Sequence, residues 1–132
     1  MKKILIVEDD NTNAEILEFY ISNYLTETNI DNTQIDIASN GYEAFGMHFD
    51  YQYNIIFLDL KMPKCDGLKF LDMLENINVN HYPYVIMVTG MDDEKLNYIY
   101  KQKGVKLSLF KPYDMDKIYT ILEQLLNQEV EG

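Results

Sequence analysis

The 132-residue sequence contains no arginine, a single cysteine and no long apolar stretch. The chain has eleven lysines and 22 acidic residues, which gives a net charge of −11. A chain this acidic lacks the positively charged surface that nucleic-acid binding requires. We therefore expect no direct contact with nucleic acid. Cys65 has no partner for an internal disulfide, which fits a reducing cytoplasm, and we interpret it as a small loop residue packed under a turn.

No apolar segment approaches the length that a membrane span needs. The first residues, Met1-Lys2-Lys3, resemble the start of a secretion signal, but the apolar run that follows ends after Val7 in three consecutive acids. We therefore expect a cytoplasmic location and no membrane contact. The length suits one domain over residues 1–132, and 47% hydrophobic residues are enough to build one core.

Short apolar runs, rich in β-branched and aromatic residues and without strict alternation, indicate strands buried on both faces of a parallel sheet. They cover residues 4–7, 55–58, 85–88 and 107–110, while residues 34–38 alternate as in an edge strand. Helical segments lie between the strands. Their start signals are Thr12 with Glu15, Asn40 with Glu43, Asp66-Gly67, Asp92 or Asp93, and Asp114. The pattern predicts an α/β fold of the order (βα)5.

Polar residues stand where these strands end: Glu8 and Asp9, Asp59, Thr89, and Lys111. In an open parallel sheet, functional residues gather beyond the carboxyl ends of the strands, so we expect these five to share one pocket. Two carboxylates about 4 Å apart repel by roughly 4 kcal/mol at an effective dielectric of about 20. One lysine cannot neutralise three acids, which leaves a raised carboxyl pKa or a bound divalent cation. Hard oxygen ligands suit magnesium, and magnesium beside a nucleophilic carboxylate suggests phosphoryl transfer.

Four motifs that contain these residues resemble the receiver domain of two-component response regulators. They are residues 4–10, residues 58–63 followed by Asp66-Gly67, Val88-Thr89-Gly90, and Phe110-Lys111-Pro112. The motifs have the family's order and spacing, and they cover nearly the whole chain. The resemblance implies a doubly wound, flavodoxin-like three-layer sandwich with a five-stranded parallel sheet in the order 2-1-3-4-5. Its site lies where strands one and three diverge.

The resemblance also implies roles for the acidic residues. Asp59 is the phosphoacceptor, and its carboxylate attacks the phosphorus of a phosphohistidine donor. Asp9 and Asp59 bind Mg²⁺ directly, with Mn²⁺ as the alternative metal. Glu8 binds the metal mainly through water, and the backbone carbonyl of Lys61 completes the protein ligands. Asp10 is left out of this set because an acid after a strand more often caps the next helix.

For the remaining site residues, the resemblance implies contacts with the phosphoryl group. The Thr89 hydroxyl hydrogen-bonds a phosphoryl oxygen, and Gly90 leaves room for the backbone to approach. Lys111 pairs with Asp59 in the resting state and with the phosphoryl group afterwards. A cis bond between Lys111 and Pro112 would aim the lysine.

The implied function is a phosphorylation-controlled switch that is not an enzyme for other substrates, since it catalyses only its own phosphorylation and dephosphorylation. The expected donor is a sensor histidine kinase or a histidine phosphotransfer protein. The expected target is a downstream protein or a fused output domain. The start at Met1 fits both a free-standing receiver and the first part of a longer regulator.

Three other functional classes are alternatives to this one. A haloacid-dehalogenase-type phosphatase needs a second aspartate two positions after the nucleophile, where this chain has Lys61. A flavodoxin-like or dinucleotide-binding module needs a glycine- or hydroxyl-rich phosphate loop, whereas Glu8-Asp9-Asp10 would repel phosphate without a metal. A pseudo-receiver that binds protein without phosphorylation stays open, and retention of all five site residues counts against it.

Several residues outside the site carry weaker predictions. His48 and His81 are isolated and are expected at the surface or its boundary. Ser108 stands three residues before Lys111, where many receivers carry an aromatic ring, so the neighbouring Phe110, Tyr98 or Tyr100 is expected to fill the space. The tyrosines at 98, 100, 113 and 119 form a hypothetical partner surface.

Overall fold

The computed structural model describes residues 2–60, 67–77, 82–90 and 93–131, and for residues 127–131 it describes the backbone. Within these ranges, strands and helices alternate along the chain. The elements are β1 (Lys2–Val7), α1 (Asn11–Glu27), β2 (Thr33–Ala38), α2 (Gly41–Tyr51), β3 (Ile55–Asp59), α3 (Gly67–Glu75), β4 (Tyr84–Thr89), α4 (Glu94–Gln102), β5 (Leu107–Phe110) and α5 (Met115–Glu131). The predicted order (βα)5 is confirmed.

The five strands form one parallel sheet in the order β2-β1-β3-β4-β5, as predicted. Its register aligns the strand ends that carry the polar residues. Val7 pairs with Leu58, Asp59 pairs with Val88, and Thr89 pairs with Phe110. The chain therefore leaves β1, β3, β4 and β5 at the same edge of the sheet.

Two apolar cores lie on opposite faces of the sheet, because successive strand side chains point to opposite sides. On one face, Ile4 and Ile6 of β1 pack with α1 and α5. On the other face, Leu5 and Val7 pack with residues of α2, α3 and α4. Fully burying one such side chain stabilises the fold by about 1.5–3 kcal/mol. This arrangement is the predicted three-layer sandwich.

The N-terminal cap of α1 differs from the predicted one. Asp10 is the cap, and its side chain accepts a hydrogen bond from the Asn13 amide at 2.9 Å. The helix begins at Asn11, so Thr12 lies inside the first turn and the capping box of Thr12 with Glu15 is wrong. The expectation that Asp10 serves as a helix cap is confirmed.

The other described helix starts agree with the sequence. Asn40 accepts from the Glu43 amide at 2.9 Å, Asp93 accepts from the amides of Lys95 and Leu96, and Asp114 accepts from Lys117 at 3.0 Å. The chain leaves α4 through Gly104, whose φ of +92° suits a residue without a side chain. Asp66 and Asp92 lie outside the described residues.

The surface position predicted for His48 is wrong. Its side chain is fully buried because it lies one helical turn after Ala44, on the inner face of α2. The Nδ1 atom accepts a hydrogen bond from the Tyr53 amide at 3.0 Å, and the two rings stack. Phe49, the next residue of α2, is 64% exposed. His81 lies outside the described residues.

None of the helices in the described ranges combines the length and the apolar composition that crossing a membrane demands.

Candidate phosphoryl-acceptor and metal site

The structure brings together all the predicted site side chains that it describes. Asp59 and Thr89 are the last residues of β3 and β4, and both are buried. Glu8 follows β1 and is 7% exposed, whereas Asp9 beside it lies open to solvent. Lys111 follows β5 and is half-buried. The fourth predicted metal ligand, the backbone carbonyl of Lys61, lies outside the described residues.

Backbone hydrogen bonds fix the strand ends that carry these side chains. The Glu8 amide donates to the Ala38 carbonyl at 3.0 Å. The Lys111 amide donates to the Thr89 carbonyl at 2.8 Å, which ties the lysine to the end of β4. The peptide bond between Lys111 and Pro112 is cis, as the resemblance implied.

Three carboxylates form the acidic part of the site. One oxygen each of Glu8, Asp9 and Asp59 lies within 4.8 Å of the other two. The Lys111 ammonium faces the group, with Nζ at 3.4 Å from Asp59 Oδ2 and 3.9 Å from Glu8 Oε2. If all three acids are ionised, one ammonium leaves two negative charges without a counter-charge at this point.

The close approach of the carboxylates affects the pKa of Glu8. The pKa of the Glu8 carboxyl is raised from 4.5 to about 7, first by burial and then by the hydrogen bond to Asp59 and the negative charge of Asp59. The Asp10 amide, which donates to Glu8 Oε1 at 3.2 Å, and the Lys111 charge oppose the rise. Without a metal, Glu8 therefore holds a proton for part of the time at neutral pH. The raised pKa expected as one way to relieve the charge is thus present.

The same residues fit a divalent cation. Around Mg²⁺, with bonds of about 2.0–2.1 Å, ligand oxygens lie roughly 3–4 Å apart. A spread of up to 4.8 Å among the three carboxylate oxygens matches two direct ligands and one contact through water. A charge of +2 offsets the two negative charges that Lys111 leaves, and hard oxygen donors with room for water are the set that Mg²⁺ favours.

One residue near the site was not recognised from the sequence. Burial raises the pKa of the Tyr113 hydroxyl to about 12, with the charge of Glu8 as the next cause and those of Tyr20 and Asp59 after it. The Tyr113 ring also meets Tyr20 of α1 edge to face, with centroids 6.4 Å apart. The Tyr113 hydroxyl therefore lies within electrostatic range of Glu8 and Asp59. The sequence feature that could have indicated this position is that Tyr113 lies two residues after Lys111.

The missing ring at Ser108 leaves an open groove rather than a filled space. The Ser108 side chain is exposed, and a cavity of about 360 Å³ lies between β5 and α5. Phe110 lines this groove together with Leu109 and Ile121, and it does not occupy it. The expectation that Phe110 replaces the ring is therefore wrong.

Comparison with known proteins finds one matching family model and a related histidine kinase. The family model described as the response regulator receiver domain matches residues 4–123. The osmosensing histidine protein kinase SLN1 of Saccharomyces cerevisiae is 33% identical over 127 residues, which is 92% of this chain and 10% of that kinase. The chain thus spans about a tenth of the length of this relative.

Two solved structures illustrate the similarity of fold. The N-terminal domain of an uncharacterized protein from Wolinella succinogenes is 29% identical, with a TM-score of 0.83 and coverage of 99% of this chain and 98% of that one. A two-component response regulator from Clostridium difficile is 23% identical, with a TM-score of 0.81 and 98% coverage of both chains. The second likeness supports the fold alone.

Proposed function

The chain belongs to the response regulator receiver domain family, and from that premise we propose that Asp59 accepts a phosphoryl group in a Mg²⁺-dependent reaction. The observation that carries the proposal is the set of contacts around Asp59. Asp59 is 4% exposed, and its carboxylate has an ammonium 3.4 Å away and an oxygen within 4.8 Å of oxygens from Glu8 and Asp9. A buried carboxylate with a cation on one side and metal-fitting oxygens on the other suits attack on an anionic phosphoryl group.

The reaction transfers phosphorus from nitrogen to oxygen. An Asp59 oxygen forms a bond to the phosphorus of a phosphohistidine, the phosphorus–nitrogen bond breaks, and its electron pair returns to the imidazole of the donor. Hydrolysis later breaks the new phosphorus–oxygen bond and restores the Asp59 carboxylate. The domain therefore acts on its own phosphorylation state and not on a separate substrate.

The carboxylates of Asp9 and Asp59 would hold Mg²⁺ directly, and Glu8 would hold it through water. A bound Mg²⁺ supplies positive charge that neutralises the oxygens of the transferred group. Lys111 supplies the other positive charge, because its ammonium already faces Asp59 at 3.4 Å. Thr89, buried at the end of β4, would donate its hydroxyl hydrogen to a phosphoryl oxygen.

The phosphoryl group adds negative charge and hydrogen-bond acceptors at the edge of the sheet. We infer that this change shifts an equilibrium between two conformations, and that the favoured conformation binds a downstream protein or output domain. The donor is a sensor histidine kinase or a histidine phosphotransfer protein. The similarity to part of the histidine kinase SLN1 supports this class of donor. We place the domain, residues 1–132, in the cytoplasm.

The proposal is tested by incubating the protein with acetyl phosphate and Mg²⁺ and measuring its intact mass. We expect wild type to gain one phosphoryl group and Asp59→Asn to gain none, because the substitution removes the attacking oxygen charge. Asp10→Asn is the matched control, since it removes a neighbouring charge but keeps an efficient helix cap. An adduct in Asp59→Asn would show that another group is modified, and equal labelling in excess chelator would contradict the Mg²⁺ requirement.

A further inference from the structure

Tyr100 is the one buried residue of α4, a helix that the structure describes in full. It is 4% exposed, whereas its helical neighbours Tyr98 and Ile99 are 65% and 39% exposed. The ring belongs to the core on the face of the sheet covered by α2 and α3, together with Leu58 of β3. The attachment of α4 to the rest of the domain thus depends heavily on this ring.

The hydroxyl end of Tyr100 reaches the start of α3. A Cβ added at Gly67 would lie 3.3 Å from Tyr100 Oη, 2.8 Å from Leu60 Cδ2 and 3.4 Å from Leu58 Cδ2. These three side chains therefore converge on a single α-carbon that bears no side chain. The glycine leaves the space in which the tyrosine from α4 meets the leucines that flank Asp59.

Leu60 connects this contact to the candidate site. It directly follows Asp59, and its amide donates to the Val88 carbonyl at 3.2 Å, one residue before Thr89. Leu60 is thus tied by covalent bonds to the proposed phosphoacceptor and by a hydrogen bond to the strand that carries Thr89. A displacement of these strand ends would therefore move Leu60 within the space beside Gly67 on which the Tyr100 hydroxyl also converges.

The C-terminal end of α4 is held to α3 as well. Lys103 pairs with Asp72, and its Nζ lies 3.4 Å from Glu75 Oε2. Both of these acids belong to α3. The Tyr100 carbonyl accepts hydrogen bonds from the amides of Lys103 and Val105 at 3.0 and 3.1 Å. Because half-exposed ion pairs contribute little, the buried Tyr100 ring dominates this attachment.

The β5 strand offers no comparable connection. Its Ser108 side chain is exposed and short, and it opens onto the groove beside α5. Tyr100 of α4, by contrast, brings its hydroxyl to Gly67, on which the Leu60 side chain also converges.

We propose that Tyr100 is a positioning residue that couples the phosphoryl state of Asp59 to the attachment of α4, acting through Leu60 and Gly67. The coupling rests on the proposed acceptance of a phosphoryl group at Asp59. Coupling between two sites is reciprocal. If a phosphoryl mimic strengthens the attachment of α4 by a given factor, then loss of the Tyr100 contact weakens binding of the mimic by the same factor.

The test uses beryllofluoride, a mimic of the phosphoryl group, at saturating Mg²⁺. Its dissociation constant is measured by fluorine NMR, and the attachment of α4 is followed by amide hydrogen exchange of residues 94–102. We expect Tyr100→Leu to weaken beryllofluoride binding by about 5-fold or more, the lower end of typical couplings, and to abolish the exchange response of α4. Tyr98→Leu, on the exposed side of the same helix, should match wild type in both measurements.

Tyr100→Phe and Gly67→Ala provide a second test, which remains valid if Tyr100→Leu does not fold. Gly67→Ala places a methyl group against Leu60 and the Tyr100 hydroxyl, so it should weaken binding. Tyr100→Phe removes the hydroxyl, and the double variant should therefore bind more tightly than the two single effects would predict.

Wild-type affinity in both Tyr100 variants, with an unchanged exchange response in α4, would overturn the coupling while leaving phosphorylation of Asp59 intact. Additive effects of Gly67→Ala and Tyr100→Phe would also overturn it, because the two residues would then act separately. A wild type that binds no beryllofluoride would instead contradict the proposed function, and the coupling with it.

Discussion

The buried Glu8 carboxyl predicts how the stability of the metal-free protein changes with pH. Its pKa is about 7 in the folded protein against an ordinary value of 4.5. Between these values the folded state holds a proton that the unfolded chain has released, so the free energy of unfolding falls as pH rises through this window. At 1.36 kcal/mol for each unit, the loss is about 3 kcal/mol once pH exceeds 7.

The assay is urea unfolding at several pH values from about 5 to about 8, first in the presence of a chelator. Glu8→Gln cannot titrate, so its free energy of unfolding should lose this fall, while Asp10→Asn should keep it. The difference between wild type and Glu8→Gln isolates the site, since every other group titrates in both proteins. Mg²⁺ favours the ionised carboxylates, so it should stabilise wild type most at the upper end of the range. At 100 times the dissociation constant, the gain is about 2.7 kcal/mol.

A wild type whose stability is flat between about pH 5 and about pH 7 would refute the reasoning. The same fall in Glu8→Gln as in wild type would do so too, because the titrating group would then lie elsewhere.

Two further predictions concern the scaffold, and both are checked by urea unfolding. Tyr53→Phe should destabilise the fold by about 1.5–3 kcal/mol, because the buried tyrosine donates a 2.5 Å hydrogen bond to the carboxylate of Asp36. Tyr51 is exposed, so Tyr51→Phe is the control, and equal stability of the two variants would exclude that role. Gly104→Ala should cost about 1–2 kcal/mol, because its φ of +92° disfavours any side chain, and an unchanged midpoint would contradict this.

The order of the elements could be predicted because the strands are continuous apolar runs with clear boundaries. β3 was predicted at residues 55–58 and extends by one residue to Asp59. The cap of α1 was mispredicted because Asp10 and Thr12 are both good caps, and the local pattern does not decide between two starts that close together. His48 was mispredicted because an isolated polar residue gives no sign that the inner face of its helix includes it.

The convergence of Glu8, Asp59, Thr89 and Lys111 followed from topology, since parallel strands end at one edge of the sheet. The convergence of the Tyr100 and Leu60 side chains on Gly67 could not be predicted in this way. They depend on how far α4 lies from α3, a distance set by packing between segments that are remote in sequence. The protonation of Glu8 likewise depends on burial and on the distance to Asp59, which no local pattern encodes.

The central claim is that Asp59 is the residue that becomes phosphorylated, and chemical trapping of the modified residue tests it most directly. After incubation with acetyl phosphate and Mg²⁺, borohydride reduces an aspartyl phosphate to homoserine, which peptide sequencing by mass spectrometry then locates. We predict homoserine at position 59, with Asp9 and Asp10 unchanged and no conversion in excess chelator. Homoserine at another position, or none in a protein that gains phosphoryl mass, would contradict the account.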